Sequence, residues 1–274
     1  MTRQALVVGA TGGLGLSLTR RLLAEGYAVR ATGRDPVAAA RLAAMGAETI
    51  PADLVKNRGA ARNLCRDIEV VFHAAALSSP WGSEQAFERA NVGVTRTLLD
   101  AAQAAGCEGL VFVSSPSIYA ERRDRLGLTE ADAPAARPLN AYARTKLAAE
   151  RLVLAADRPG FFTVAIRPRA LMGPDDKVLL PRILALISRG TAPLPGGGET
   201  LIELTDTRDV AEALVSADRR RGLIAGRVFN ISGGAAVRVR DLALDIAAAA
   251  GQRSGPAADQ GEDAGQQHLV VRPH

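Results

Sequence analysis

A chain of 274 residues and 28.6 kDa is long enough to bury a sizeable core without disulfides or a structural metal. Its composition, 47% hydrophobic and 23% charged, excludes wholesale disorder, and no uncharged apolar run approaches the ~18 residues of a membrane-spanning helix. Net charge is +5, yet the basic residues are interleaved with acids, as over Glu121–Arg125, and aromatics at 4% are too few to stack bases. Neither nucleic acid nor membrane is expected as a partner. The N-terminus, MTRQALVVGATGG, enters a strand directly with no signal-peptide layout, which predicts a cytoplasmic protein. Cys65 and Cys107 lack ligand-type spacing and read as buried free thiols.

Along the chain, short apolar runs predict strands at Ala5–Val8, Ala28–Thr32, Glu48–Pro51, Val70–Ala74, Leu110–Ser114 and Thr163–Arg167. Helical patterns fill the gaps at Leu14–Glu25, Val37–Met45, Ala60–Arg66, Glu84–Ala105 and Ala141–Ala155. Strands that are apolar throughout, such as Val70-Val71-Phe72, belong in a parallel sheet covered on both faces. Strict alternation then implies right-handed βαβ crossovers and a doubly wound, Rossmann-type α/β fold over residues 1–167. Past Arg167 the rhythm loosens among prolines and Gly196-Gly197-Gly198. Helices at Val178–Arg189, Asp209–Arg219 and Asp241–Ala250 and a strand at Arg227–Ile231 suggest a second, smaller region over 168–250 built onto the first. A polar, irregular and mobile tail is expected over 251–274.

The segment Gly9-Ala-Thr-Gly12-Gly-Leu-Gly15 follows a strand and opens a helix, the context that a dinucleotide fingerprint requires. Gly9 permits the tight turn, Gly12 lets the backbone approach a pyrophosphate, and Gly15 allows close helix–strand packing. The helix N-terminus supplies N–H groups and a positive dipole end, which makes Thr11, Gly13 and Leu14 further cofactor candidates. A second signal is Tyr142-Ala-Arg-Thr-Lys146, whose spacing of four puts both side chains on one helical face. Lys146 can hold a nicotinamide ribose and lower the pKa of Tyr142, making the phenol a usable proton donor. The chain uses 31 Arg and three Lys, so a mere surface pair would more naturally carry Arg; lysine here looks required.

On these motifs the chain resembles the extended short-chain dehydrogenase/reductases, also called the NAD-dependent epimerase/dehydratase family. Asp53 in Ala-Asp-Leu54, Val71-Phe-His73-Ala74-Ala75-Ala76, Asn91 in Asn-Val-Gly-Val-Thr, Val113-Ser-Ser-Pro-Ser-Ile-Tyr119 and Arg167-Pro168 extend the match across about residues 3–250. The resemblance implies that Asp53 and Leu54 contact adenine, that His73, Ala74 and Ala75 lie beneath the cofactor, and that Arg167 joins the cofactor contacts. It also implies catalysis by Ser115, Tyr142 and Lys146, with Asn91 supporting through its backbone or a water. Ser114 and Ser117 are the alternative serines. Within the family the stretches from Pro80-Trp81 to Asn91 and Arg167-Pro-Arg169 to Asp175 look most like 3β-hydroxysteroid dehydrogenases and olefin-biosynthesis ketoreductases. Trp81, Ser115, Ser117 and Arg169 are the substrate-side candidates, the resemblance makes 168–250 a small substrate-binding region, and no metal site is expected.

At the end of the second strand, NAD-preferring members carry an acid where this chain has Gly33, and Arg34 beside it suits a 2′-phosphate. NADP(H) is therefore favoured over NAD(H), with Asp35 as the competing ribose ligand. The expected activity is hydride transfer interconverting a secondary alcohol and a ketone on a lipophilic, polyketide- or steroid-like small molecule. A nucleotide-sugar epimerase, dehydratase or ketoreductase is the alternative, and a non-catalytic NADP-binding regulator the second. Helices Glu84–Ala105 and Ala141–Ala155 are those through which the family pairs, so a homodimer is expected.

Overall fold

In the computed structural model, which describes residues 2–79, 81–123, 125–188, 191–193, 195–251, 253–256 and 268–272, the chain alternates strand and helix from its start. β1 (Gln4–Val8), α1 (Gly13–Ala24), β2 (Ala28–Thr32), α2 (Pro36–Ala44), β3 (Glu48–Thr49), α3 (Ala60–Leu64) and β4 (Val70–His73) come first. They are followed by α4 (Glu84–Phe87), α5 (Val94–Ala104), β5 (Gly109–Val113), α6 (Ala141–Ala155) and β6 (Phe162–Pro168). The middle of the chain adds β7 (Leu171–Met172), α7 (Leu179–Ser188), β8 (Thr191–Pro193), β9 (Leu201–Glu203) and β10 (Thr205–Asp206). Then come α8 (Thr207–Arg219), α9 (Arg221–Ile224), β11 (Arg227–Ile231), β12 (Ala236–Arg238), α10 (Val239–Ala249), β13 (Arg253–Pro256) and β14 (His268–Arg272).

Seven of these strands form one parallel sheet in the order β11-β6-β5-β4-β1-β2-β3. The order reverses direction between β1 and β4, which opens the crevice at the carboxyl ends where doubly wound sheets take ligands. The strands are apolar because both faces are covered. Leu6, Val71, Leu110 and Phe112 are buried with Leu64, Leu98 and Val153, from α3, α5 and α6. Cys65 and Cys107 sit in this core as free thiols. At the opposite end of the sheet the Arg3 guanidinium grips buried Asp218 with two bonds of 2.8 Å, and the Tyr27 hydroxyl donates to the same carboxylate at 2.8 Å.

Two sequence expectations are corrected here. The helix read as continuous over Glu84–Ala105 is α4 and α5 joined by a π-helical segment, Glu88–Gly93. The smaller region does not run unbroken from 168 to 250. The chain divides into one unit of Met1–Arg169 with Thr207–Ile231 and another of Ala170–Asp206 with Ser232–His274. Segment 207–231 belongs to the first because α8 packs on α1, where Ser17 and Thr207 hydroxyls lie 3.0 Å apart, and β11 hydrogen-bonds along β6. Part of the expected tail is strand. β13 pairs antiparallel with β14, and β14 with β8, so the β-branched Val270-Val271 run finds a ladder. Residues 257–267 of the expected tail, and Arg189 at the end of the predicted helix, lie outside the described residues.

In the second unit β7 pairs with β10, β9 with β12, and Ile183 of α7 packs against Ala243 and Ala247 of α10. Among the described residues no helix is long and apolar enough to cross a membrane.

Candidate active site

The glycine-rich turn is closed by backbone contacts that tolerate no side chain. Gly9 adopts φ +89°, and a Cβ there would lie 2.6 Å from the Ala75 nitrogen. At Gly15 it would lie 2.2 Å from the Gly9 oxygen. Gly9 and Ala10 both donate to the Thr32 carbonyl at 3.0 Å, which ties the turn to the end of β2. Gly12, by contrast, has room: its nearest neighbour to a Cβ is the Gly9 oxygen at 3.5 Å. No side chain caps α1 and its first turn holds no acid, so the amides of Gly13, Leu14 and Gly15 present a positive, uncovered end. Such a cradle fits the pyrophosphate of a dinucleotide.

The end of β2 carries Gly33 where an acid would hold a ribose, and one candidate cation. A Cβ on Gly33 would meet the Thr11 hydroxyl at 2.2 Å, so Thr11 fills the space an acid would need. Asp35 accepts from the amides of Val37 and Ala38 at 3.0 and 3.1 Å as the N-cap of α2. Arg34 is exposed between them. Further along, the Asp53 carboxylate accepts from the Val55 amide at 3.0 Å in its own turn, while Leu54 is buried. Ala74 and Ala75 follow β4 and are half-buried.

Beneath the crevice, His73 is fully buried and its Nε2 lies 2.9 Å from Thr95 Oγ1. The Thr95 hydroxyl donates its single proton to the Asn91 carbonyl at 2.6 Å. It must therefore accept from His73, which assigns the Nε2–H tautomer and leaves Nδ1 as a buried lone pair with no partner among the described residues. Burial, seconded by the Lys146 charge, pulls the His73 pKa down to about 3 and keeps the ring neutral. Asn91 lies in the π-helical segment. Its Oδ1 accepts from the Leu77 amide at 2.7 Å, and its Nδ2 donates to the Leu77 carbonyl at 3.2 Å and Thr145 Oγ1 at 3.0 Å. The Asn91 side chain thus fastens the loop after β4 to α6.

On α6, Asn140 caps the first turn through Ala143, and Tyr142 and Lys146 follow on one face. The Ser115 hydroxyl lies beside the Tyr142 phenol; burial raises the phenol above its ordinary pKa and Ser115 opposes the rise. Ser115 caps the short 3-10 turn Pro116–Tyr119 by accepting from the Ser117 amide at 3.2 Å. Ser114 and Ser117 carry buried hydroxyls with no protein partner among the described residues, so Ser115 is the serine brought to Tyr142. Lys146 is 2% exposed; its Nζ donates to the Val113 carbonyl at 2.6 Å and stands 4.1 Å from the centre of the Phe112 ring. Burial lowers its pKa to about 7, with the Glu150 charge pulling the other way.

Arg167 departs from expectation. Its Nε and Nη2 donate to Glu150 at 2.8 and 2.6 Å, and Nη1 donates to the Tyr119 hydroxyl, so the guanidinium is committed to a buried pair. Tyr119 in turn donates to the Thr129 carbonyl at 3.2 Å. Trp81, expected as a pocket wall, is 83% exposed, and Arg169 is exposed with its amide donating to the Ile231 carbonyl at 2.8 Å. Pro80 beside Trp81 lies outside the described residues. Glu150 escapes a motif search, while Thr95 closes the Asn-Val-Gly-Val-Thr motif of Asn91 without its bond to His73 being foreseen. The only trace of Glu150 in the sequence is the continued spacing of four from Tyr142 through Lys146.

A doubly wound sheet, a glycine cradle on the first crossover and a Ser–Tyr–Lys cluster at the carboxyl edge define a nicotinamide-dependent oxidoreductase. Residues 5–232 match the NAD dependent epimerase/dehydratase family, and the chain belongs to it. It is 37% identical over 238 residues to the 4-hydroxy-2-methyl-3-oxo-4-farnesyl-3,4-dihydroquinoline-1-oxide ketoreductase of Stigmatella aurantiaca, covering 86% of this chain and 70% of that one. It is 34% identical over 251 residues to the 2-alkyl-3-oxoalkanoate reductase of Stenotrophomonas maltophilia (strain K279a), covering 90% and 75%. Among solved structures it is similar to MoeE5 in complex with UDP-glucose and NAD, with a TM-score of 0.75, 32% identity, and coverage of 90% and 82%. The protein is an NAD(P)-dependent oxidoreductase.

Proposed function

We propose that the protein reduces a ketone on a lipophilic small molecule, and in reverse oxidises the matching secondary alcohol, with NADP(H) as its preferred cofactor. The observation that carries this reading is Tyr142 one helical turn from buried Lys146 on α6, with Ser115 beside the phenol. When bound, the nicotinamide cofactor supplies or accepts the hydride. Tyr142 gives its phenolic proton to the substrate oxygen, and Ser115 hydrogen-bonds the same oxygen as charge builds there. Lys146 holds the ribose and favours the phenolate through its charge. Asn91, His73 and Thr95 keep the floor of the crevice in register. The two reductase relatives, each named for an oxo group on a compound with an alkyl or farnesyl chain, support a lipophilic 3-oxo substrate.

The preference for NADP(H) is supported by three features of the β2 end. Thr11 blocks an acid at Gly33, Asp35 is used as a helix cap, and Arg34 is free of burial beside them. A guanidinium binds a phosphate through charge-assisted bonds, so Arg34→Ala should weaken NADPH by roughly ten- to a hundredfold and leave NADH little changed. Equal losses for both cofactors would defeat this assignment. We further propose a homodimer formed through α5 and α6, tested by sedimentation equilibrium against the 28.6 kDa chain mass.

A second reading, a nucleotide-sugar enzyme, draws on the likeness to MoeE5. Following NADPH oxidation against a panel of alkyl 3-oxo esters and UDP-sugars separates the two. Turnover confined to the UDP-sugars would replace the first reading by the second.

A further inference from the structure

Tyr142, Lys146 and Glu150 repeat at intervals of four on α6 and so share one stripe of the helix. The stripe does not end in solvent. Glu150 is 2% exposed and meets Arg167 of β6, itself 4% exposed, through two bonds of 2.6 and 2.8 Å. Burying both charges of a pair is costly, and well-packed apolar residues would hold α6 to β6 as well or better. The pair therefore needs a reason other than stability, and its neighbour on the stripe supplies one.

Lys146 is a buried cation whose nearest partners, the Val113 carbonyl and the Phe112 ring, carry no counter-charge. Several titratable groups face it. Tyr142 lies one turn up its own helix and Glu150 one turn down. His73, the register partner of Phe112, comes from β4 and is held neutral, and Arg167 comes from β6. Of these, Glu150 is the one whose charge raises the Lys146 pKa against burial. Arg167 engages both carboxylate oxygens, so Glu150 acts on Lys146 through its field and leaves Nζ free for a ribose hydroxyl. The Tyr119 phenol, accepting from Arg167 and donating to Thr129, fixes the far side of the guanidinium.

We propose that Glu150, clamped by Arg167, is a positioning residue whose charge holds the proton on the buried Lys146 ammonium to higher pH than burial alone would allow. This rests on Lys146 being the ribose-holding lysine of the proposed function, and its test is independent of turnover. The chain has three lysines, so a Lys56→Arg/Lys177→Arg background labelled with 13C at lysine Cε leaves a single signal to titrate, without cofactor. In the Glu150→Gln variant the Lys146 midpoint should fall by about one pH unit or more, whereas Glu150→Asp, which keeps the charge, should stay within about half a unit. Should Glu150→Gln fail to fold with Arg167 left unpaired, Glu150→Gln/Arg167→Met removes the pair entirely, and the midpoint should again fall, by less because the Arg167 cation leaves with it. An unchanged midpoint in whichever of these folds overturns the proposal. The ribose assignment fails separately, if Lys146→Met binds NADPH as tightly as the parent.

Discussion

Replacing Lys146 by Met should make the cofactor-free protein more stable, and by an amount that depends on pH. Burial lowers the Lys146 pKa from 10.5 to about 7, so the folded state releases its proton some three units before the unfolded chain does. Between those values the unfolded chain binds more protons, and stability rises with pH by about 1.4 kcal/mol per unit. Below about pH 7 both states are charged and the full penalty applies, of order 4–5 kcal/mol as an upper bound. Methionine keeps the aliphatic stem but orphans the Val113 carbonyl, at a cost of about 1–3 kcal/mol. The variant should therefore exceed the parent by about 2 kcal/mol at pH 6. That advantage should shrink by ~3 kcal/mol on going to pH 9.5 and change sign on the way. Urea unfolding of both proteins at pH 6, 7.5 and 9.5 reads this difference with other titrating groups cancelled. A difference that does not vary with pH would refute the reasoning, because it would mean Lys146 titrates alike in both states.

Two other outcomes follow from contacts in the fold. Asp218→Ala removes the acceptor of both Arg3 bonds and of the Tyr27 hydroxyl, and should cost about 3 kcal/mol in denaturant unfolding while leaving the site chemistry intact. Gly15→Ala places a methyl 2.2 Å from the Gly9 oxygen and 2.6 Å from the Ala10 Cα, both backbone. It should destabilise by about 1–3 kcal/mol and abolish measurable cofactor binding by calorimetry.

The fold was legible because each of its signals is local. Ala28–Thr32 and Arg227–Ile231 are strands with the bounds the apolar runs suggest, and the glycine turn and the Tyr142/Lys146 spacing each lie within a few residues. What escaped depends on contacts distant in sequence. The π-helical segment around Asn91 adds a residue to one turn without altering the apolar pattern, so Glu84–Ala105 looks like a single helix. Glu150 and Arg167 look like solvated charges until α6 is laid against β6. The return of Thr207–Ile231 to the first unit depends on Ser17 meeting Thr207 across 190 positions, which no window reports. Thr11 shows its bearing on Gly33 only once the turn after β1 is folded beside the end of β2.

The most direct test of the account compares the parent with Tyr142→Phe, using NADPH and an alkyl 3-oxo ester. Phenylalanine keeps the ring, and with it the packing on α6, but has no proton to give to the substrate oxygen. The variant should bind NADPH with an affinity within about threefold of the parent, while its turnover falls by roughly a hundred- to ten-thousandfold at saturating substrate. Turnover retained within about tenfold would contradict the assignment of Tyr142 as the proton donor, and with it the reading of this cluster as the active site.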